Sequence, residues 1–254
     1  MAAFLNFSPA GGDQSEGAGR GNPFFRSLLA MLEGFGAIVR KDLRLEVRSG
    51  ESTVALVSLS ILILVVMVLA FGPGGARRAE VAAAALWIAL IFAGTLGATR
   101  ALLAERESGC IRGLLLSPVE PATIYAAKLA VALIFMAEAG VAVLVVLVLF
   151  FNLEFGGGLL RLIPVALLGA VGLAALCTLL ATISGRVRAG AMLLPVLVVP
   201  LFTPALIAGS KASAAVLAGQ PLSAVATWLK LLCAFDVLFV AAGYLLFEHV
   251  ILED

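Results

Sequence analysis

Six apolar stretches divide most of the chain: Thr53–Phe71, Val81–Thr99, Leu129–Phe151, Leu162–Ile183, Ala191–Ala208 and Ala224–Phe247. A helix rises about 1.5 Å per residue, so the 19 residues of Thr53–Phe71 reach roughly 28 Å, close to the thickness of a bilayer's hydrocarbon. Each stretch is too long for a core strand and too poor in charge for a helix bathed in water. Gly72-Pro73-Gly74-Gly75 closes the first stretch sharply. Pro195, Pro200 and Pro204 interrupt the fifth, freeing backbone carbonyls that a neighbouring helix or a cavity has to satisfy. Two readings fit that segment, the wall of a cavity between two copies or a kinked helix packed on its neighbours. No internal repeat is visible, so an inverted-repeat architecture has no support.

The pattern changes before the first span. Arg40, Lys41, Arg44 and Arg48 gather on one side of a helical wheel, and Phe35, Ile38, Val39, Leu43 and Val47 on the other. That is the signature of a helix lying in the membrane interface, with an ordinary solvated helix as the alternative. Asp42 and Glu46 break the apolar stripe, which predicts that they meet protein cations rather than lipid tails. Residues 1–25 are rich in Gly, Ala and Ser and lack the apolar core of a signal peptide; the expected flexible tail runs over 1–34, with a helix able to begin within Phe24–Gly34. The expected fold is therefore an all-α integral membrane protein with an interfacial helix at 35–50 and a six-helix transmembrane unit over 51–254.

Composition reinforces this. The apolar share is 62% before the 26 glycines are counted, and charged residues are 13%. Soluble chains reach about 45–50% apolar with glycine included, and a soluble chain of this length could not hide the excess in one core. The net charge of +1 and the scarcity of Trp and Tyr argue against a nucleic-acid partner. Cys110, Cys177 and Cys233 lack any metal-ligand spacing and read as small buried hydrophobes; with His249 the single histidine, a multi-histidine metal site cannot be built. Lys and Arg flank the spans unevenly, eleven on the side that holds the N-terminus and four (Arg77, Arg78, Arg161, Lys211) on the other. The bias places both termini in the cytoplasm.

Candidate chemistry sits in few places. Glu105–Val119, between the second and third stretches, begins charged with Glu105, Arg106 and Glu107, turns at Gly109 and Gly113, carries Arg112 and three leucines, and stops at Pro118. Such a segment makes a short interfacial helix with charges open to a cytoplasmic partner; a loop helix without a partner would have the same makeup. Glu138 and Asp236 fall near the middle of the third and sixth stretches. Acids in hydrocarbon cost about 2.5–3.5 kcal/mol on insertion scales for Asp, so two readings stay open for them: a substrate-path or proton-linked group, or a carboxyl that ties helices together. There is no GxxxxGK[ST] phosphate cradle and no nucleophile paired with a base, so the chain is not expected to be an enzyme.

Several segments carry a resemblance. Glu105–Val119 is similar to the coupling loop of ABC-2 class ABC transporter membrane subunits. Arg40-Lys41-Asp42-Leu43 with Glu46 and Arg48, Trp87 with Phe92-Ala93-Gly94, Leu193-Leu194-Pro195 with Pro200 and Pro204, Ala234-Phe235-Asp236, and Leu246-Phe247-Glu248 follow in the order of the CcmB branch of that class, the haem exporter membrane component of cytochrome c maturation. The resemblance covers roughly residues 35–250 and leaves the first 30 or so outside. It implies a six-span membrane component of the bacterial inner membrane that works as a homodimer on a separate ATPase, CcmA, with CcmC and CcmD as further partners and the haem chaperone CcmE served indirectly. It implies ATP bound only by the ATPase, and haem as the species transported or handled rather than as a resident cofactor. The rival readings are a proton-coupled secondary transporter using Glu138 and Asp236, and a membrane scaffold that transports nothing.

Overall fold

The computed structural model describes residues 23–49, 51–72, 77–108, 120–151, 157–184 and 190–252. Seven α-helices account for nearly all of them: α1 (Pro23–Ser49), α2 (Glu51–Phe71), α3 (Arg78–Ser108), α4 (Pro121–Phe151), α5 (Gly157–Ser184), α6 (Gly190–Leu217) and α7 (Ala226–Leu252), with a 3-10 turn at Leu222–Val225. Five segments are long and apolar enough to cross a membrane: Arg78–Leu103, Pro121–Phe151, Gly157–Ser184, Met192–Leu217 and Leu222–Phe247; α2 adds a shorter apolar stretch, Val57–Phe71. α1 begins at Pro23 and so takes in Phe24–Gly34 as well as the amphipathic stretch.

Local chemistry sets the ends. Gly72 adopts φ +77°, a left-handed conformation open to glycine, and its N–H donates to the Val68 carbonyl at 2.8 Å, closing α2. Gly219, at φ +90°, does the same for α6, where the Gln220 N–H reaches back to Ala215 at 3.0 Å. Pro121 opens α4, at a position where the missing N–H would have had no partner. Pro164 in α5 and Pro195, Pro200 and Pro204 in α6 are all carried inside continuous helices.

Burial separates an inner pair from a rim. The apolar segments of α3 and α5 are 61% and 67% buried, against 28%, 33% and 22% for α4, α6 and the segment ending in α7. α3 packs on α2, α4, α5 and α6, while α5 packs on α3, α4, α6 and α7. Small side chains permit this closeness: Ala82, Ala85 and Ala89 of α3 and Ala174 and Ala175 of α5 are buried. Lipid tails are as apolar as leucine, so close backbone approach, dispersion and hydrogen bonds hold such helices together. α1 lies outside the main core and packs chiefly on α4, where Ile38 joins Ile124, Tyr125, Ala127 and Phe247 in a separate apolar cluster edged by Phe35, Val39 and Leu129.

Candidate functional site

The end of the bundle where α3 finishes and α4 begins collects the charged segments. The apolar side of α1 seats on the first turns of α4 and the last turns of α7, through Ile38, Ile124, Tyr125 and Phe247. Tyr125 and Phe247 stack at a centroid separation of 5.5 Å, and Gly243 of α7 leaves the space that the Tyr125 ring fills. The Tyr125 hydroxyl is buried there without a hydrogen-bond partner among the described residues. Lys41 Nζ lies 3.2 Å from Asp42 Oδ1, and the half-buried Lys128 ammonium of α4 sits within electrostatic reach of both. Arg40 and Arg44 remain exposed. Glu46 and Arg48 belong to α1, and Glu105, Arg106 and Glu107 to the last turns of α3; their side chains lie outside the described residues, as do Gly109, Arg112 and Pro118 entirely.

α3 is a single rod of 31 residues, about 46 Å long against roughly 30 Å of hydrocarbon. One part of it is clamped in the core. Trp87 is fully buried, and Cβ atoms added at Gly169 of α5 or Gly209 of α6 would run into its indole. Its Nε1–H donates to Ser213 Oγ of α6 at 3.0 Å. An aromatic chain continues from it: Trp87 to Phe202 at 6.3 Å, Phe202 to Phe235 edge-to-face at 5.5 Å, and Phe235 to Phe239 at 4.4 Å. Pairs of this kind add about 0.5–1.5 kcal/mol each beyond burial. α3, α6 and α7 are thereby linked through side chains that resist small displacements. Sequence reading singled out Trp87 only as part of a family pattern and missed Gly169, Gly172, Gly209 and Ser213; glycines within apolar helices are the signal that could have found the first three.

The two mid-span acids part company. Asp236 is 7% exposed and turned inward, its carboxyl held against Gly172 of α5, where Phe235 also comes within 2.8 Å of a Cβ position. Its Oδ1 has no hydrogen-bond partner among the described residues. Glu138 is exposed on the outer side of α4. One chain therefore does not bring them into a shared site. The prolines of α6 lie off its buried stripe of Leu194, Val198, Phe202 and Ala205: Pro195 at its edge is half-buried, and Pro200 and Pro204 are exposed.

An all-helical bundle with five long apolar helices and small-residue packing at its centre defines a multi-pass membrane protein. The CcmB protein family matches residues 33–250, and the chain belongs to it. It is similar to heme exporter protein B of Bradyrhizobium diazoefficiens, 30% identical over 221 residues that cover 84% of this chain and 94% of that protein. Heme exporter protein B of Rhodobacter capsulatus is 27% identical over 177 residues, 69% of this chain and 80% of the relative.

Proposed function

We propose that the chain is the membrane (permease) subunit of an ABC transporter complex in cytochrome c maturation, placed in the bacterial inner membrane with both termini cytoplasmic. α2 completes six spans in this reading, and the chain works as a homodimer. A separate ATPase, CcmA, supplies ATP hydrolysis, with CcmC and CcmD as membrane partners and CcmE as the haem chaperone served. The energy drives export of haem or release of the haem-loaded chaperone. Family membership over residues 33–250, with relatives named heme exporter protein B, supports the system to which the chain is assigned.

The observation that carries the coupling part is the continuity of α3. Glu105, Arg106 and Glu107 stand on the same unbroken helix as Trp87, which is 19 residues and about 28 Å before Arg106. A push on the charged end is carried along one continuous helix to the Gly169–Trp87–Gly209 clamp. Glu105 and Glu107 accept from a partner's Arg or Lys, and Arg106 grips a carboxylate through two parallel hydrogen bonds. α1 lies at the same end of the bundle, its exposed Arg40 and Arg44 offering a second contact. Reversing Glu105 and Glu107 to Lys is expected to release the ATPase from detergent-solubilised complex, and to abolish cytochrome c maturation, while the membrane protein stays inserted. Normal co-purification and normal maturation in that double variant would remove the α3 end as the coupling surface.

A further inference from the structure

At Gly94 two neighbours close on α3: a Cβ added there would stand 2.6 Å from Met136 Cε of α4 and 3.0 Å from Leu173 Cδ2 of α5. Gly97, three residues on, meets nothing within 4 Å among the described residues. No close approach within the chain's described part uses its missing side chain. What the glycine leaves is a softer backbone, since glycine is the weakest helix former after proline. Packing thins over the same stretch. From Leu96 to Leu103 a single side chain, Leu102, is buried.

Two threonines loosen this segment further. Thr95 Oγ1 donates to the Ile91 carbonyl at 2.9 Å and to the Phe92 carbonyl at 3.2 Å, and Thr99 Oγ1 donates to the Thr95 carbonyl at 2.7 Å. These oxygens also serve the backbone ladder of a continuous helix, and a hydroxyl that shares one weakens its ladder bond and favours a bend that opens on that side. At about 100° per residue the three carbonyls fall on one side of α3, and Ala93, Gly97 and Ala101 on the other. The bend therefore closes over a side that carries no bulk. Leu102 stands on the threonine side, and its contact with the main apolar cluster holds the rest position.

We propose that residues 94–99 are a flexure built into α3: the arm that carries Glu105, Arg106 and Glu107 swings about it toward the Gly97 side, while the Trp87 end stays in its slot. The helix remains continuous through the flexure, so a load on the arm reaches the clamp as a bend rather than a slide. Gly97 to Glu107 is ten residues, about 15 Å, and a bend of about 20° moves the charged end by about 5 Å. The flexure belongs to the chain by itself; its use in coupling rests on the ATPase reading above.

Spin labels on the full chain in nanodiscs, in a background lacking the natural cysteines, test this. One pair, Leu103→Cys with Ile183→Cys, joins the arm to the last turn of α5; a control pair, Glu80→Cys with Leu160→Cys, joins the clamped half of α3 to the first turn of α5, and all four positions are exposed. The distance distribution of the arm pair is expected to be wider than the control's by about 3 Å, the swing six residues from Gly97. Gly97→Ala has room for its methyl, so it should raise the unfolding temperature and narrow the arm pair to the control width. Thr95→Val should narrow it as well, and Thr95→Ser, which keeps the shared hydrogen bond, should leave it wide. Equal widths in the parent overturn the proposal. So does a wide arm pair that Gly97→Ala and Thr95→Val leave unchanged, even if Gly97→Ala lowers the yield of the complex, since the glycine would then serve contact with another chain. With the ATPase bound, ATP should shift the arm pair by about 3 Å in the parent and not in Gly97→Ala. A parent chain with the wide arm pair that binds no ATPase keeps the flexure and removes the coupling reading.

Discussion

The Trp87 indole N–H donates to Ser213 Oγ at 3.0 Å, joining α3 to α6 across 126 residues of sequence. The bond holds the ring in a slot whose two walls are the bare backbones at Gly169 and Gly209. Two helices pressed against a flat aromatic need no side chain at the point of contact, and any added atom has nowhere to go.

Gly209→Ala is expected to destabilise the folded protein by about 1–3 kcal/mol through overpacking. Trp87→Ala is expected to cost about 3–5 kcal/mol from the cavity it leaves. Pairing Gly209→Ala with Trp87→Leu should recover part of the glycine variant's loss, because the new methyl then has room. Unfolding of the purified protein in mixed micelles reads all three. Strict additivity in the double variant would show that the two positions do not share one slot.

Asp236 sits where a neutral side chain of its own shape fits, against Gly172 and with one oxygen lacking a partner among the described residues. Asp236→Asn keeps the shape and hydrogen-bonding capacity of the neutral acid. Membrane level and cytochrome c assembly are expected to stay within about twofold of the parent, since a surviving hydrogen-bonding group leaves helix packing intact. Asp236→Lys, in contrast, should prevent accumulation of the folded protein. Loss of assembly in Asp236→Asn at normal protein level would reassign the residue from helix packing to a functional acid.

The Tyr125 hydroxyl is buried beside Phe247 and Gly243 with no partner among the described residues. An unsatisfied hydroxyl costs its desolvation, so Tyr125→Phe should leave stability unchanged or raise it by up to about 1 kcal/mol. Gly243→Ala should weaken docking of α7 against α4 and give earlier proteolysis in the α1 region. A drop of more than about 1 kcal/mol in Tyr125→Phe would mean that the hydroxyl has a partner in the membrane-embedded protein.

Orientation is checked with single cysteines at Arg77 and Arg106, in a background lacking the natural three. The excess of Lys and Arg beside α1 and after α3 predicts labelling of Arg106→Cys from the cytoplasmic side and of Arg77→Cys from the periplasmic side. Reaction of both from one side is incompatible with six crossings.

Class and element order were open to the sequence alone, because both depend on local quantities: how many apolar residues follow one another, and where glycine or proline ends the run. Gly72 stops α2 as its position in Gly72-Pro73 predicts, and the apolar side of α1, with Phe35, Ile38 and Val39, is the side that packs. α1 was legible because its two sides differ in polarity, Phe35, Ile38 and Val39 packing on α4 and α7 while Arg40 and Arg44 stay exposed, and the pattern records the difference. The spanning helices offer no such contrast. Lipid and protein core are equally apolar to a leucine, so Val141, exposed, and Val143, buried, look alike in sequence. The same holds for Glu138 and Asp236, both mid-helix acids, of which tertiary packing turned one outward and the other against Gly172. The slot for Trp87 was equally hidden, since its walls lie 82 and 122 residues farther along the chain and exist only once α5 and α6 close on α3. Hydrophobic length decides that a segment enters the membrane; steric fit between helices, which no single segment encodes, decides which side of it faces the protein.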